Sequence, residues 1–313
     1  MSQQQRDALD ELLRTGPLDL GGEVKEQRVV FEEMMGASPV PDDVAASPGT
    51  LGGIPVLNVD VDGTEPGPVI LYFHGGAYAV GTAASSVGLA SDLARRAGVR
   101  LVSVDYRLAP EHPYPAALED AVAAYRGLLA SEPSPSAIAF AGESSGAGLV
   151  AATLVALKRA GLPLPAAAVM MSPWIDLTLS GDSMSEKAAL DPALTPDGLR
   201  RRVSDYVGAS DPADGLLSPI FADLTGLPPL LVQVGSHEIL LDDATRLAAR
   251  AAAADVAVTL QVTPQVPHVF QAFASMLDEA GVALTNAGDF LRAHLAAGSG
   301  DVLGQPVTAG STT

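Results

Sequence analysis

The spacing of apolar residues along the chain changes from a helical period to a strand period and back again. Near the start, apolar residues recur at helical spacing among charged ones, which predicts helices over residues 4–14 and 23–36. Met34 and Met35 lie on the apolar face of the second helix, and we interpret them as packing residues. That face is suited to covering either a core or a pocket.

From about residue 41 onward, short apolar runs alternate with helical patterns. The predicted strands cover residues 54–61, 69–73, 99–104, 166–171, 229–234 and 257–262, with one more leading into Gly142, and the predicted helices cover 83–97, 116–130, 239–254 and 278–296. Strands that alternate with helices indicate a mainly parallel central sheet with helices on both faces. The fold class predicted from this pattern is therefore α/β.

Residues 176–226 interrupt the alternation. They are rich in Asp, Ser, Pro and Gly and contain one predicted helix around residues 196–206, so we interpret them as an inserted cap. The three consecutive arginines of that helix, residues 200–202, are predicted to form a solvated face. The chain thus divides into helices (1–45), two halves of a core (46–175 and 227–297), the insertion, and a small polar tail (298–313) expected to be disordered.

Composition narrows the classes of function. The 313 residues carry a formal net charge of −19, which disfavours binding to nucleic acid or to an anionic membrane surface. The absence of cysteine excludes disulfides, thiolate metal sites and a cysteine nucleophile. The first residues lack an apolar signal-peptide core, and no apolar run reaches the length of about 18 residues that a membrane helix needs. We therefore expect a cytoplasmic protein.

The candidate chemistry centres on a G-x-S-x-G pattern, Gly142-Glu143-Ser144-Ser145-Gly146. A serine exposed on a sharp strand-to-helix turn needs small residues two positions before and after it, because side chains there collide with neighbouring backbone. Alone, the pattern is as compatible with a glycine-rich turn that has no catalytic role as it is with a nucleophilic serine. The apolar strand before it and the helical run after it favour Ser144 as a nucleophile.

A nucleophilic serine needs a base and an orienting acid, which in this arrangement come later in the chain. Of the five histidines, His268 follows the last predicted strand. A loop at the carboxyl end of that strand is a place from which a base can reach the strand-to-helix turn of Ser144, which we call the elbow. Glu238 is the acidic residue nearest the end of the preceding strand. Asp242 and Asp243 fall in the first turn of the next helix, where we expect them to interact with the helix dipole.

Two glycines follow the strand that ends at residue 73, in the sequence His74-Gly75-Gly76. Glycines allow backbone N–H groups to approach a ligand closely. We expect the amides of Gly75, Gly76 and Ser145 to form a three-donor oxyanion hole.

These motifs resemble the bacterial hormone-sensitive-lipase-like esterases of the α/β-hydrolase superfamily. The resemblance runs from about residue 69 to residue 270 and rests on His-Gly-Gly at 74–76, Asp-Tyr-Arg-Leu-Ala-Pro-Glu at 105–111, the elbow, Ser-Pro-Trp at 172–174, the Glu238 region and Pro267-His268. It implies an α/β-hydrolase fold, a Ser144–Glu238–His268 triad, ester hydrolysis without metal or cofactor, and a cap built from the N-terminal helices and the insertion. The family also commonly forms homodimers through the last sheet edge and helix.

The sequence departs from the family pattern at several positions, including Glu238, where the triad acid is more often Asp, and His237, where a carboxylate is usual. Ala77 stands where a third glycine is usual, while Glu143 and Ser145 replace the usual Asp and Ala of the elbow. Ala77, Tyr78 and Trp174 are the candidate substrate-binding residues, and for Trp174 a pocket wall and core packing remain equal alternatives.

The motifs therefore predict a serine carboxylesterase that acts on a small-molecule ester, and the resemblance implies a short or medium acyl chain. A lactone hydrolase with the same triad and a non-catalytic ligand-binding protein of the same fold are the alternatives.

Overall fold

A computed structural model describes residues 2–36, 40–64, 67–131 and 134–298 of the chain. Its centre is an eight-stranded sheet within these residues, with the spatial order β1-β2-β4-β3-β5-β6-β7-β8. The strands are β1 (Val44–Leu51), β2 (Ile54–Val61), β3 (Val69–Phe73), β4 (Arg100–Val104), β5 (Ile138–Glu143), β6 (Ala167–Met171), β7 (Leu230–Gly235) and β8 (Val258–Thr263). The pairs β1–β2 and β2–β4 are antiparallel, and all later neighbours are parallel. The predicted α/β class with a mainly parallel sheet is confirmed.

Helices cover both faces of the sheet. They are α1 (Ser2–Thr15), α2 (Val24–Gly36), α3 (Val87–Ala97), α4 (Ala116–Ser131), α5 (Ser145–Arg159), α6 (Ser183–Glu186), α7 (Pro196–Val207), α8 (Leu241–Ala253) and α9 (Asp278–Gly298). Along β3, Leu71 and Phe73 belong to the apolar cluster that includes α4 and α5, whereas Ile70 and Tyr72 belong to the cluster with α3 and α9. This strict alternation follows from the two-residue period of a strand, and it buries β3 on both faces.

Local sequence sets the ends of several helices. Thr195 caps α7 because its hydroxyl accepts the amide of Gly198 at 3.1 Å, and Pro196 occupies the first helical position. Gly98 ends α3 in the left-handed conformation at φ 68°. The sequence predicts this helix from residue 83, whereas α3 begins at Val87 and residues 83–86 form turns.

The 176–226 insertion packs against the N-terminal segment through Arg202. The Arg202 side chain is fully buried, donates to the carbonyl of Gly22 at 3.1 Å and lies 3.1 Å from the Asp205 carboxylate. The predicted solvated face is therefore wrong for Arg202, although Arg200 and Arg201 are exposed. Burial lowers the pKa of the Arg202 guanidinium.

The C-terminal tail falls almost wholly outside the residues that the structure describes. The tail predicted to be disordered, residues 298–313, lies outside the described residues except for Gly298, which ends α9. Among the helices that the structure describes, none combines the length and the apolar character needed to cross a membrane. The assignment of residues 1–45 and 176–226 to a cap stays a prediction.

Candidate active site

Ser144 lies at the sharp turn between β5 and α5. Its backbone has φ 55° and ψ −123°, a conformation that residues with a Cβ rarely adopt. A Cβ on Gly146 would lie 2.0 Å from the carbonyl oxygen of Phe73 and 2.4 Å from that of His74, so only glycine fits there. The turn therefore holds the serine at the carboxyl end of the sheet, directly before the first amides of α5.

The structure brings the three predicted triad side chains into one hydrogen-bonded chain. The Oγ atom of Ser144 lies 2.9 Å from Nε2 of His268, and Nδ1 of His268 lies 2.7 Å from Oε2 of Glu238. Glu238 is fully buried and His268 is 8% exposed, so bulk water competes little for these contacts. The arrangement is suited to removing the proton of the serine hydroxyl through an oriented imidazole.

The second oxygen of Glu238 is fixed by a residue to which the sequence gives no role. Its Oε1 atom accepts hydrogen bonds from the amide of Gly235 at 2.6 Å and from the hydroxyl of Ser172 at 2.9 Å. The Ser172 oxygen in turn accepts the amide of Val269 at 3.0 Å, which ties the acid and base loops to the end of β6. The Ser-Pro-Trp motif after β6 is the sequence signal that contains Ser172.

The structure corrects the predicted oxyanion hole at Gly75. The amide of Gly75 donates to Oε1 of Glu143 at 2.8 Å and is therefore occupied. Within the described residues, the amides of Gly76 and Ala77 have no hydrogen-bond partner. Ser145 begins α5, and the first amides of a helix have no acceptor within it. The amides left available as donors at this edge of the sheet are thus those of Gly76, Ala77 and Ser145.

The candidate substrate-binding residues are all buried. Ala77 and Tyr78 are 2% exposed, and Trp174 is 1% exposed. The ring of Tyr78 stacks on Tyr206 of α7 at a centroid distance of 3.8 Å. The centroid of the Trp174 ring lies 6.1 Å from that of Tyr78. These contacts show packing between the turn after β3 and the 176–226 insertion, and the assignment to substrate binding stays a prediction.

His74 is excluded as a competing base by its surroundings. Its ring is fully buried, stacks on Tyr106 at 4.2 Å and places Nδ1 2.8 Å from the carbonyl oxygen of Gly75. Burial lowers its pKa to about 4, so the ring is neutral and donates this bond. Among the described residues, no group of three or more His, Asp or Glu side chains is placed to hold a metal ion.

Buried carboxyls also link the 176–226 insertion to the loop of the triad acid. Oδ2 of Asp191 accepts the amide of Ile239, directly after Glu238, at 2.8 Å. Oδ2 of Asp243 accepts the amides of Ile175 at 2.8 Å and Asp176 at 3.0 Å. The predicted interaction of Asp243 with the helix dipole therefore does not describe its main contacts. These contacts hold the segment after β6 on the start of α8.

The buried Asp243 carboxyl leads to a prediction about stability and pH. Burial raises its pKa from 3.8 to about 8. The unfolded chain therefore releases this proton at lower pH than the folded chain, so the stability that the protonated group contributes is full below about pH 4 and is lost as pH rises through 8.

Asp243→Asn keeps an oxygen for the two amides but cannot ionise. We expect its free energy of unfolding to rise relative to that of the wild type across this window, by at most about 1.4 kcal/mol per pH unit. Thermal midpoints of both proteins, measured from about pH 5 to about pH 8, check this expectation. Parallel curves over the window would contradict it.

A parallel sheet with a serine elbow and a downstream acid and base defines an α/β hydrolase. The sequence model of the α/β-hydrolase fold family matches residues 70–272. An acetyl-hydrolase of Streptomyces hygroscopicus is 42% identical over 275 residues, which cover 87% of this chain and 90% of that protein. An esterase of Acinetobacter venetianus is 39% identical over 71% of this chain and 74% of its own length.

Solved structures give the same result. The crystal structure of an esterase from the bacterial hormone-sensitive lipase family superposes with a TM-score of 0.90 at 42% identity, covering 93% of this chain and 98% of that one. A hormone-sensitive lipase from a metagenome library superposes with a TM-score of 0.89 at 39% identity, covering 94% and 98%. The chain belongs to the bacterial hormone-sensitive-lipase family of the α/β hydrolases, as its motifs predict.

Proposed function

We propose that the chain is a serine carboxylesterase that hydrolyses esters of short- to medium-chain carboxylic acids. The observation that carries this proposal is the unbroken chain from Ser144 to His268 to Glu238, with distances of 2.9 and 2.7 Å. The relatives named esterase and acetyl-hydrolase support the same reaction. The name acetyl-hydrolase also favours a short acyl group.

The proposed reaction begins with proton transfer from Ser144 Oγ to Nε2 of His268 as Oγ attacks the ester carbonyl carbon. Glu238 keeps Nδ1 protonated and stabilises the imidazolium. The carbonyl oxygen becomes an oxyanion that accepts hydrogen bonds from the backbone N–H groups of Gly76, Ala77 and Ser145. When the tetrahedral intermediate collapses, the C–O bond to the alcohol breaks and His268 returns its proton to the departing oxygen.

The acyl group then remains on Ser144 until water replaces it. His268 takes a proton from the water as its oxygen attacks the acyl carbon, and then gives that proton to Ser144 Oγ as the acid leaves. The same steps open a lactone, in which the alcohol and the acid belong to one molecule.

Initial rates on p-nitrophenyl esters from acetate to palmitate test the proposal. We expect turnover that is highest for the short and medium chains and falls for palmitate. A fluorophosphonate should modify the protein with a stoichiometry of about one and only at Ser144, because only an activated serine reacts. Absence of both turnover and modification would instead favour the non-catalytic ligand-binding alternative, and a lactone assay separates the two ester classes.

A further inference from the structure

The segment after β3, residues 74–78, holds an unusual backbone conformation. We call it the oxyanion loop, because it carries two of the three proposed donors. Its last three residues, Gly76, Ala77 and Tyr78, have φ values of 112°, 52° and 60°. Two of these residues carry a Cβ, which makes such values unfavourable, so neighbouring groups must hold the loop in place.

Glu143 supplies one of these restraints from directly below the loop. It is the last residue of β5 and immediately precedes the nucleophile, and it is 6% exposed. Its Oε1 atom accepts the amide of Gly75 at 2.8 Å and the hydroxyl of Ser86 at 2.7 Å. One carboxyl oxygen thus joins the loop, the segment before α3 and the strand that leads into Ser144.

Other contacts restrain different atoms of the oxyanion loop. The hydroxyl of Tyr106 donates to the carbonyl of His74 at 2.7 Å, and the amide of Tyr78 donates to Ser145 Oγ at 3.3 Å. Glu143 is therefore the side chain that holds the Gly75 amide, next to the donor Gly76.

We propose that Glu143 is a positioning residue for the oxyanion hole. By binding the amide of Gly75, it fixes the spacing between the oxyanion loop and the elbow and leaves the next two amides directed by the turn toward the reacting carbonyl. This assignment rests on the proposed esterase function. Glu143 is also one of the positions at which the chain departs from the Gly-Asp-Ser pattern of its family.

Oε1 of Glu143 contacts two hydrogen-bond donors, so an acceptor oxygen at this position is what the site uses. Burial raises the pKa of the Glu143 carboxyl, while hydrogen bonds from Tyr72, Gly75 and Ser86 oppose that rise. A glutamine has the same length and keeps an acceptor oxygen, so it can replace this function.

The test compares Glu143→Gln, Glu143→Asp and Glu143→Ala with the wild type on p-nitrophenyl acetate. We expect Glu143→Ala to lower kcat by about 10²-fold with little change in KM, because loosened donors stabilise only the oxyanion. Glu143→Gln is expected to stay within about 3-fold of the wild-type kcat, and Glu143→Asp, which is shorter by one methylene, to fall between them. Ser86→Ala removes the other donor to Oε1 and should cost less than Glu143→Ala.

Tight binding of a boronic acid, whose adduct with the serine resembles the tetrahedral intermediate, gives a second readout. Its affinity should weaken in parallel with kcat across the series, which a general loss of stability would not produce. A wild-type kcat in folded Glu143→Ala, or a change confined to KM, would overturn the assignment. If Glu143→Ala does not fold, equal losses in Glu143→Gln and Glu143→Asp would overturn it as well. Turnover by the wild-type protein tests the esterase function separately.

Discussion

Ser144→Ala and His268→Ala are each expected to lower kcat/KM for p-nitrophenyl acetate by at least about 10³-fold. The serine variant lacks the nucleophile, and the histidine variant leaves its hydroxyl without the base that lies 2.9 Å away. Because both side chains act in the same step, the double variant should be no slower than the worse single variant. Initial rates corrected for spontaneous hydrolysis measure all three.

The neighbouring hydroxyl provides a matched control for this experiment. Ser145 is fully buried in the same elbow, and its Oγ atom accepts a long hydrogen bond of 3.3 Å from the amide of Tyr78. Ser145→Ala keeps the backbone N–H that we assign to the oxyanion hole, so its rate should fall far less than that of Ser144→Ala. Retention of more than about a tenth of the wild-type rate by Ser144→Ala would rule out the acyl-enzyme mechanism.

The elbow is predictable from the sequence because its requirements are local. A strand, two glycines around a serine and a helix are adjacent in the chain, and the close approach of Phe73 to Gly146 explains why the glycine is needed. The positions of Glu238 and His268 are also predictable, because parallel strands bring the loops at their carboxyl ends together. Periodicity therefore predicts seven of the eight strands and the loops that meet at the site, whereas β1, whose residues are mostly exposed, is not predicted.

The hydrogen bond between Glu143 and Gly75 is not predictable in this way. The two residues are 68 positions apart, and nothing in the His-Gly-Gly pattern indicates which amide another side chain will occupy. Sequence reasoning therefore selects Gly75 as a donor, whereas the structure leaves Gly76 and Ala77 available. Such partner choices depend on side-chain geometry across strands and not on the residues beside the motif.

Burial of charged side chains is the other feature that local patterns miss. Arg202 occurs in a run of three arginines, and Asp243 occurs in the first turn of a helix, where charges are usually solvated. The structure buries both, because the N-terminal segment covers one and the segment after β6 covers the other. Contacts between segments distant in the chain decide these environments.

Glu238→Gln is expected to abolish most activity without disturbing the fold, because it reverses the direction of the hydrogen bond between residue 238 and Nδ1 of His268. The amide of Gly235 and the hydroxyl of Ser172 both donate to the Oε1 position. The glutamine oxygen must therefore occupy that position, because its NH₂ group cannot accept these bonds. The glutamine NH₂ group then faces Nδ1 of His268, which must accept. The imidazole proton is forced onto Nε2, where it points at Ser144 and prevents His268 from acting as a base.

We expect kcat of Glu238→Gln to fall by about 10⁴-fold, the scale seen when a triad acid becomes an amide, with KM nearly unchanged. Glu238→Asp is the matched comparison, because it keeps the carboxylate and the correct tautomer but shortens the reach to His268, so it should retain more activity. An NMR measurement of the His268 ring nitrogens should show the proton moving from Nδ1 to Nε2 in Glu238→Gln. A Glu238→Gln variant as active as Glu238→Asp, or one whose His268 proton stays on Nδ1, would mean that Glu238 does not set the tautomer.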